Sequence, residues 1–377
     1  MDSGKKKILV VSRCAWTLYN FRKGLIRALM DAGHEVVCAG AGGDGYDTRL
    51  LDEGFVFKPL PVDLRGINPV ADTRLFASMV GFYRREAPDV VLHFTIKPVI
   101  YGSVAARLAR VPRIINTITG LGYVFAPESP GWLRAVVTRL YRTGCACAHH
   151  TFFQNEQDKA LFLRERMVSG DNIGVLPGSG VDTCRFSPPE REPTEAPVTF
   201  VMIARMLRDK GVYEFVEAAR LVRERVPDTR FLLVGMRDER NPNVIPAADL
   251  EQWCAEGIVE WPGPVVDVCP VLAAAHVVVL PTYYPEGVPK SLLEAAAMAR
   301  PVITTDTVGC RDAVVAGETG LLVPVRDAAA LARAMEDLAL DPKRRKAMGE
   351  AGRCRAVEVF DEKTVVARVL EQVGKIP

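Results

Sequence analysis

Short β-branched runs alternate with longer amphipathic stretches along most of the 377-residue chain. Runs at 8–11, 35–39, 55–59, 90–94, 113–117 and 151–153 have the length and composition of buried strands. Between them, 18–32 (closed by Gly33), 74–85, 101–109 and 132–145 carry apolar residues at helical spacing. Strand, helix, strand in this order opens a parallel α/β sheet. A second series starts at 199–203 and continues with a helix at 211–226 and strands at 230–234, 258–261, 277–280 and 302–304. Leu331, Met335 and Leu338 mark a later helix, and 363–373 a last one.

Pro188, Pro189, Pro193 and Pro197 accumulate between the two series, as in an interdomain linker. The pattern therefore predicts a first domain over 1–183, a linker over 184–198 and a second domain over 199–360. The remaining 361–377 predicts a helix able to pack back on the first domain. Two similar sheets imply a cleft between them.

Composition narrows the class. Apolar content of 49% and charged content of 25% are those of a globular protein and exclude disorder. Nine cysteines lack a repeated Cys-x-x-Cys spacing, and the apolar run at 8–11 is too short for secretion or a membrane span. The expectation is a cytoplasmic protein with free thiols.

Charge is uneven. Residues 1–150 hold 20 Lys and Arg against 12 Asp and Glu, although the whole chain carries only +2. A basic first half can meet anionic lipid or a diphosphate-bearing substrate. Nucleic acid fits poorly, since no aromatic residues interleave with the basic ones as a stacking motif requires. The 132–145 stretch, with Arg134, Arg139 and Arg142 among apolar positions, can lie at a membrane surface. An ordinary domain helix with solvated arginines is the preferred reading, since the apolar residues also have helical core spacing. The glycine run at 40–45 is a surface turn, because a dinucleotide loop needs its glycines after the first strand.

The candidate chemistry lies beyond strand ends, where open α/β sheets bind ligands. After the strand at 277–280, a loop through Glu286 leads to a helix predicted from Val288, whose start offers the N–H groups of Gly287 and Val288 to an anion. Glu294 follows inside an apolar run, so its carboxylate needs partners. Sugar hydroxyls satisfy that need, and so does an arginine or a backbone N–H of the fold. Arg205 and Lys210 follow the strand at 199–203, and two cations with a helix start can hold a diphosphate. Surface charge paired with Asp209 and Glu214 is the alternative. No Asp-x-Asp, no metal-site pairing of His or Cys, no Gly-x-Ser-x-Gly and no Walker pattern occurs.

These residues carry a resemblance. Arg205 with Lys210 and Gly211, the Glu286 and Glu294 spacing, Thr305-Asp306 ahead of Gly309-Cys310-Arg311-Asp312, and the run from Gly320 to Pro324 resemble retaining glycosyltransferase family four. That family has the GT-B fold, α/β with two Rossmann-like doubly wound domains facing across a cleft. Phe21-Arg22-Lys23-Gly24-Leu25, Phe94-Thr95-Ile96-Lys97-Pro98 and the run from Ile118 to Phe125 are similar to a narrower branch, the N-acetylgalactosaminyltransferases that extend polyprenyl-diphosphate-linked saccharides.

The resemblance implies a UDP-sugar donor, with Arg205 and Lys210 neutralising its diphosphate and Glu294 bonding the ribose. Glu286 and the backbone of Gly287, Val288 and Pro289 would contact the donor sugar and distal phosphate, and the base would rest near Gly263. Glu286, Arg205 and Lys210 are the implied catalytic residues, with no cofactor and no metal. The implied partners are a UDP-N-acetylhexosamine, N-acetylgalactosamine first, and an undecaprenyl-diphosphate-linked saccharide. The basic domain would sit peripherally on the cytoplasmic face of the membrane. Thr119 and Gly120 stand where many family members carry a histidine, and Trp16 and Thr17 stand where glycines are usual, so donor contacts from the first domain do not carry over. Lys97, Thr119 and Gly120 are the acceptor-side candidates, whereas His93 reads as structural. A sugar-nucleotide epimerase on the same fold and a non-catalytic nucleotide-sugar-binding scaffold are the competing readings.

Overall fold

The computed structural model describes residues 4–63, 68–125, 129–194, 196–239 and 241–375. Contacts divide the chain into two units, Met1–Ser179 with Glu362–Pro377, and Gly180–Asp361.

In the first unit, β1 (Lys7–Cys14), β2 (Glu35–Ala41), β3 (Val56–Pro59), β4 (Val90–Phe94), β5 (Arg113–Ile118), β6 (His150–Phe153) and β7 (Ile173–Val175) form one sheet in the order β3-β2-β1-β4-β5-β6-β7. All pairings are parallel, with Ile8 opposite Val90 and Val11 opposite His93. Alternate residues of β1 feed two separate cores. Ile8 and Val10 pack with Leu18, Ile26 and Leu29 of the helix Ala15–Asp31, while Leu9 and Val11 pack with Leu75, Met79 and Tyr83 of the helix Pro69–Glu86. Burial on both faces is why such strands read as continuous apolar runs. The helix Glu362–Gly374 also belongs here, and its Val365, Val369 and Val373 complete the core of Ile8 and Leu29.

In the second unit, β8 (Val198–Ile203), β9 (Thr229–Val234), β10 (Glu260–Gly263), β11 (Val277–Leu280), β12 (Val302–Thr305) and β13 (Gly320–Val323) form a parallel sheet in the order β10-β9-β8-β11-β12-β13. The helices Val212–Arg225, Lys290–Ala297, Ala328–Leu340 and Pro342–Val359 contribute Phe215, Leu293, Met335 and Met348 to the core around Phe200 and Phe231. Each sheet winds outward from its first strand and then restarts on that strand's other side. Strand order therefore reverses between β1 and β4 and between β8 and β11. At such a reversal the loops beyond the strand ends part, which is where open α/β sheets take ligands.

Several sequence expectations shift. The helix expected from Val288 begins at Lys290, with Pro289 as its extended N-cap. Proline disfavours helical geometry in the residue before it, so Gly287 and Val288 lie in the loop, and the first-turn amides are those of Lys290 and Ser291. Residues 180–198 belong to the second unit rather than to the first domain and a linker. Val181 N–H donates to the Phe360 carbonyl at 2.8 Å, and Phe186 is buried in the second core. The strand expected at 258–261 is Glu260–Gly263, because Ile258 N–H first closes the helix Ala247–Ala255 on the Trp253 carbonyl at 3.0 Å. Tyr101, expected to open a helix, lies in a π-helical turn, Pro98–Gly102, that leads into the helix Ser103–Leu108.

Candidate active site

The loop after β8 and the loop after β11 leave neighbouring strands and are tied together by one carbonyl. The Asp209 carbonyl accepts from the N–H of Tyr283 at 3.0 Å, the N–H of Tyr284 at 3.1 Å and the Thr282 hydroxyl at 3.1 Å. Close approach is possible because Gly211 has φ +83°, and a Cβ there would overlap the Pro281 carbonyl. A third loop, after β12, is fixed in the same way. Gly309 has φ +82° with no room for a Cβ against the Gly287 carbonyl, and the Thr305 hydroxyl donates to the Thr282 carbonyl.

This scaffold brings Lys210 and Glu286 together as an ion pair. Lys210 is only 9% exposed and its ammonium lies 5.0 Å from the centre of the Tyr284 ring. Burial first, and the nearby Arg205 second, push the ammonium down to about 8. The Asp209 carboxylate and the Cys310 thiol oppose that shift by favouring the charged form. Arg205 reaches Asp238, beyond β9, at 3.7 Å. Lys210 is thus paired with Glu286 and Arg205 with Asp238, and the Asp209 carboxylate also acts on the charge of Lys210.

Glu294 lies one turn into the helix Lys290–Ala297. Burial raises its carboxyl above the usual range, against the pull of Lys290 and Arg185. Arg185 itself pairs with Asp267 at 2.9 Å. Glu294 thus sits within the pull of these cations, and hydroxyl donors of a ligand suit its buried carboxylate. Gly263 ends β10 with φ +82° and open space at its Cβ position, and its carbonyl accepts from Gly235 N–H at 3.0 Å. Val288 and Pro289 complete the loop that leads from Glu286 to this helix.

The acceptor-side candidates lie in the first unit, beyond the neighbouring strands β4 and β5. Lys97 is ion-paired with Asp72 at 2.8 Å, and Asp72 also accepts from the Tyr101 hydroxyl at 3.0 Å. An anion at Lys97 must therefore compete with a carboxylate. Between β4 and Lys97, Thr95 has φ +70°, an unfavourable conformation for a β-branched residue. Thr119 and Gly120 follow β5, with φ +114° at Gly120. His93 is fully buried, bonded to the Tyr83 hydroxyl at 2.9 Å and Asn116 at 3.1 Å, and burial pushes it down to about 4. It is a core histidine.

Sequence reasoning missed the Asp209 carbonyl, the Tyr284 ring and Arg326, whose guanidinium lies 4.4 Å from the centre of the Tyr283 ring. Gly211, Thr305 and Gly309, which fix the loops, had a signal as parts of runs already singled out. Among the described residues no group of three His, Cys, Asp or Glu is placed to hold a metal ion, and no helix is long and apolar enough to cross a membrane.

Comparison with known proteins adds the lineage. The model of the glycosyl transferases group 1 matches residues 197–341, and that of the glycosyl transferase 4-like domain matches residues 7–155. The N,N'-diacetylbacillosaminyl-diphospho-undecaprenol alpha-1,3-N-acetylgalactosaminyltransferase of Campylobacter jejuni is 28% identical, over 98% of this chain and 99% of its own. A GDP-mannose-dependent alpha-(1-6)-phosphatidylinositol monomannoside mannosyltransferase of Mycolicibacterium smegmatis is 32% identical, over 88% of this chain and 87% of its own. The crystal structure of Anabaena HepE in complex with UDP and glucose has a TM-score of 0.78 at 17% identity, over 98% of this chain and 99% of that one. The last likeness establishes the fold, GT-B.

Proposed function

Because the chain belongs to the group 1 glycosyltransferases, we propose that it moves an N-acetylhexosamine, N-acetylgalactosamine in our reading, from a UDP-sugar to an undecaprenyl-diphosphate-linked saccharide. The product would serve surface or glycoprotein glycan assembly at the cytoplasmic face of the membrane. The observation that carries the donor side is the buried Lys210 beside Arg205 and Glu286, beyond the reversal of β8 and β11. The match to the Campylobacter jejuni transferase along nearly its whole length supports the choice of acceptor and sugar.

In this reading the two cations hold the donor diphosphate, and Glu286 exchanges its bond to Lys210 for one to the donor sugar. Glu294 accepts from the ribose hydroxyls, and the backbone near Gly263 receives the base. The bond between the anomeric carbon and the diphosphate oxygen breaks as the acceptor hydroxyl oxygen bonds the same face, so configuration is retained. The hydroxyl proton passes to the departing diphosphate. Charge grows on that leaving group, and Arg205 and Lys210 offset it where water is excluded, without a metal ion. Lys97 would meet the acceptor diphosphate by releasing Asp72, with Thr119 and Gly120 as the other acceptor-side candidates.

The test is transfer itself. Purified protein with UDP-N-acetylgalactosamine and a polyprenyl-diphosphate-linked monosaccharide, in the presence of a chelator, is expected to yield a disaccharide with the α configuration by NMR. No turnover with any UDP-sugar across a panel of such acceptors overturns the proposal. Conversion of the donor alone, with no acceptor needed, points instead to an epimerase.

A further inference from the structure

We propose that Arg22, a buried arginine of the helix Ala15–Asp31, binds the diphosphate of the acceptor at the carboxyl edge of the first sheet. The helix turns Leu18, Leu25, Ile26 and Leu29 into a core with Ile8 and Val10, and Arg22 lies in the same buried stripe. Only 6% of it is exposed, and its guanidinium rests 4.1 Å from the centre of the Phe94 ring. Phe94 is the last residue of β4, beside the reversal between β1 and β4. Helical side chains lean toward the amino-terminal end of their helix. Here that end follows β1 directly, so the long stem of Arg22 carries its charge toward the strand ends.

Among the described residues Arg22 has no ion pair and no hydrogen bond. Burial pushes the guanidinium down to about 9, and no neighbouring carboxylate pulls it back up. An aromatic face offsets part of the cost of burying a cation, yet it leaves the N–H donors in the guanidinium plane unfilled. An apolar side chain would fill the stripe at lower cost, so the charge serves something other than the core. Two further groups at the same edge are unfilled, since the Arg13 Nε and the Thr95 hydroxyl are buried without hydrogen-bond partners. Arg13 and Thr95 follow Val11 and His93, which stand opposite each other in the sheet. Other places for an anion nearby are already taken. Trp16 N–H, at the helix start, donates to the Asp44 carboxylate at 3.0 Å, and Lys97 is held by Asp72 at 2.8 Å. A planar fork of donors meets two phosphate oxygens at once, and Arg22 takes them without giving up a carboxylate first.

The acceptor as bearer of the diphosphate rests on the transferase reading, whereas the anion site does not. Geranyl diphosphate, a soluble stand-in for the lipid end of the acceptor, is titrated into the full chain by calorimetry, with and without UDP to occupy the donor site. Geraniol is the uncharged control. The parent is expected to bind the diphosphate in the presence of UDP and to ignore geraniol. Arg22→Met, which keeps the stem and drops the charge, should weaken that binding about tenfold or more and leave UDP affinity unchanged. It should melt no lower than the parent, because a buried charge without a partner is removed. Arg22→Lys, charged but without the fork, should fall between the two, and it decides the matter if the methionine variant melts lower. In transfer assays both variants should raise KM for the acceptor and leave KM for the UDP-sugar as in the parent. No binding of geranyl diphosphate by the parent, parental affinity in both variants, or a loss that falls on UDP instead overturns the proposal. Protein that binds the diphosphate through Arg22 but transfers no sugar loses the transferase reading alone. Protein that transfers sugar while both variants keep the parent's affinity loses the Arg22 site alone.

Discussion

At the scale of residues, the decisive feature is a lysine held where its charge is unwelcome. Lys210 is buried beside Arg205, and both effects favour its neutral form. In the free protein the ammonium is charged below about 8 and neutral above it. A bound diphosphate favours the charged form, so binding takes up a proton once the pH passes that value. UDP affinity is therefore expected to be flat below neutrality and to fall by up to about tenfold per pH unit in the alkaline range. Titration calorimetry across neutral and alkaline pH reads this directly, and Lys210→Arg, which stays charged, should flatten the curve. An alkaline fall of the same size in the arginine variant would assign the effect to another group. Both Lys210 and Glu286 were legible as candidates from their places after strands. Their direct pairing was not, since it depends on β8 and β11 being neighbours in the sheet, which no local pattern encodes.

At the scale of elements, glycines decide how closely the loops approach. A Cβ at Gly309 would overlap the Gly287 carbonyl, whereas Gly317, with a similar φ of +79°, has nothing near its Cβ position. Gly309→Ala is expected to cost about 3 kcal/mol, from backbone strain plus overlap. Gly317→Ala should cost about 1 kcal/mol, from strain alone. Urea unfolding separates the two, and only the first variant should also lose UDP affinity; equal costs would mean that the Gly309 contact is not rigid. Most strands were readable because burial on both faces leaves continuous β-branched runs. β7 was not, as Ile173-Gly174-Val175 is too short to stand out. The helix Pro342–Val359 escaped for a different reason. It has almost no apolar stripe, and it packs through Gly349 and Gly352, which let its backbone approach Ala299 and Ala296. Close backbone contact of this kind leaves no hydrophobic period to read.

At the scale of the whole molecule, the chain leaves the first unit at Ser179 and returns to it at Glu362. Deleting the chain beyond Asp361 removes Val365, Val369 and Val373, all nearly fully buried, from the core of Ile8 and Leu29. Burial of three valines stabilises by about 5 kcal/mol or more, comparable with the net stability of a domain. The truncated protein is expected to lose the first unit's thermal transition and its resistance to proteolysis while residues 180–361 keep theirs; two intact transitions would show that the helix Glu362–Gly374 is dispensable. The division into two α/β series was readable from the spacing of strands, but the return was only a possibility, since an amphipathic helix does not name the surface it will cover. The same connectivity also sets an order of assembly. Domains generally fold as the chain is synthesised, amino-terminal first, yet here the unit begun first waits for a helix made only after the whole inserted unit. The inserted unit can close while its host still shows an open apolar seam, so in the cell the unit begun first is completed after the one inserted into it.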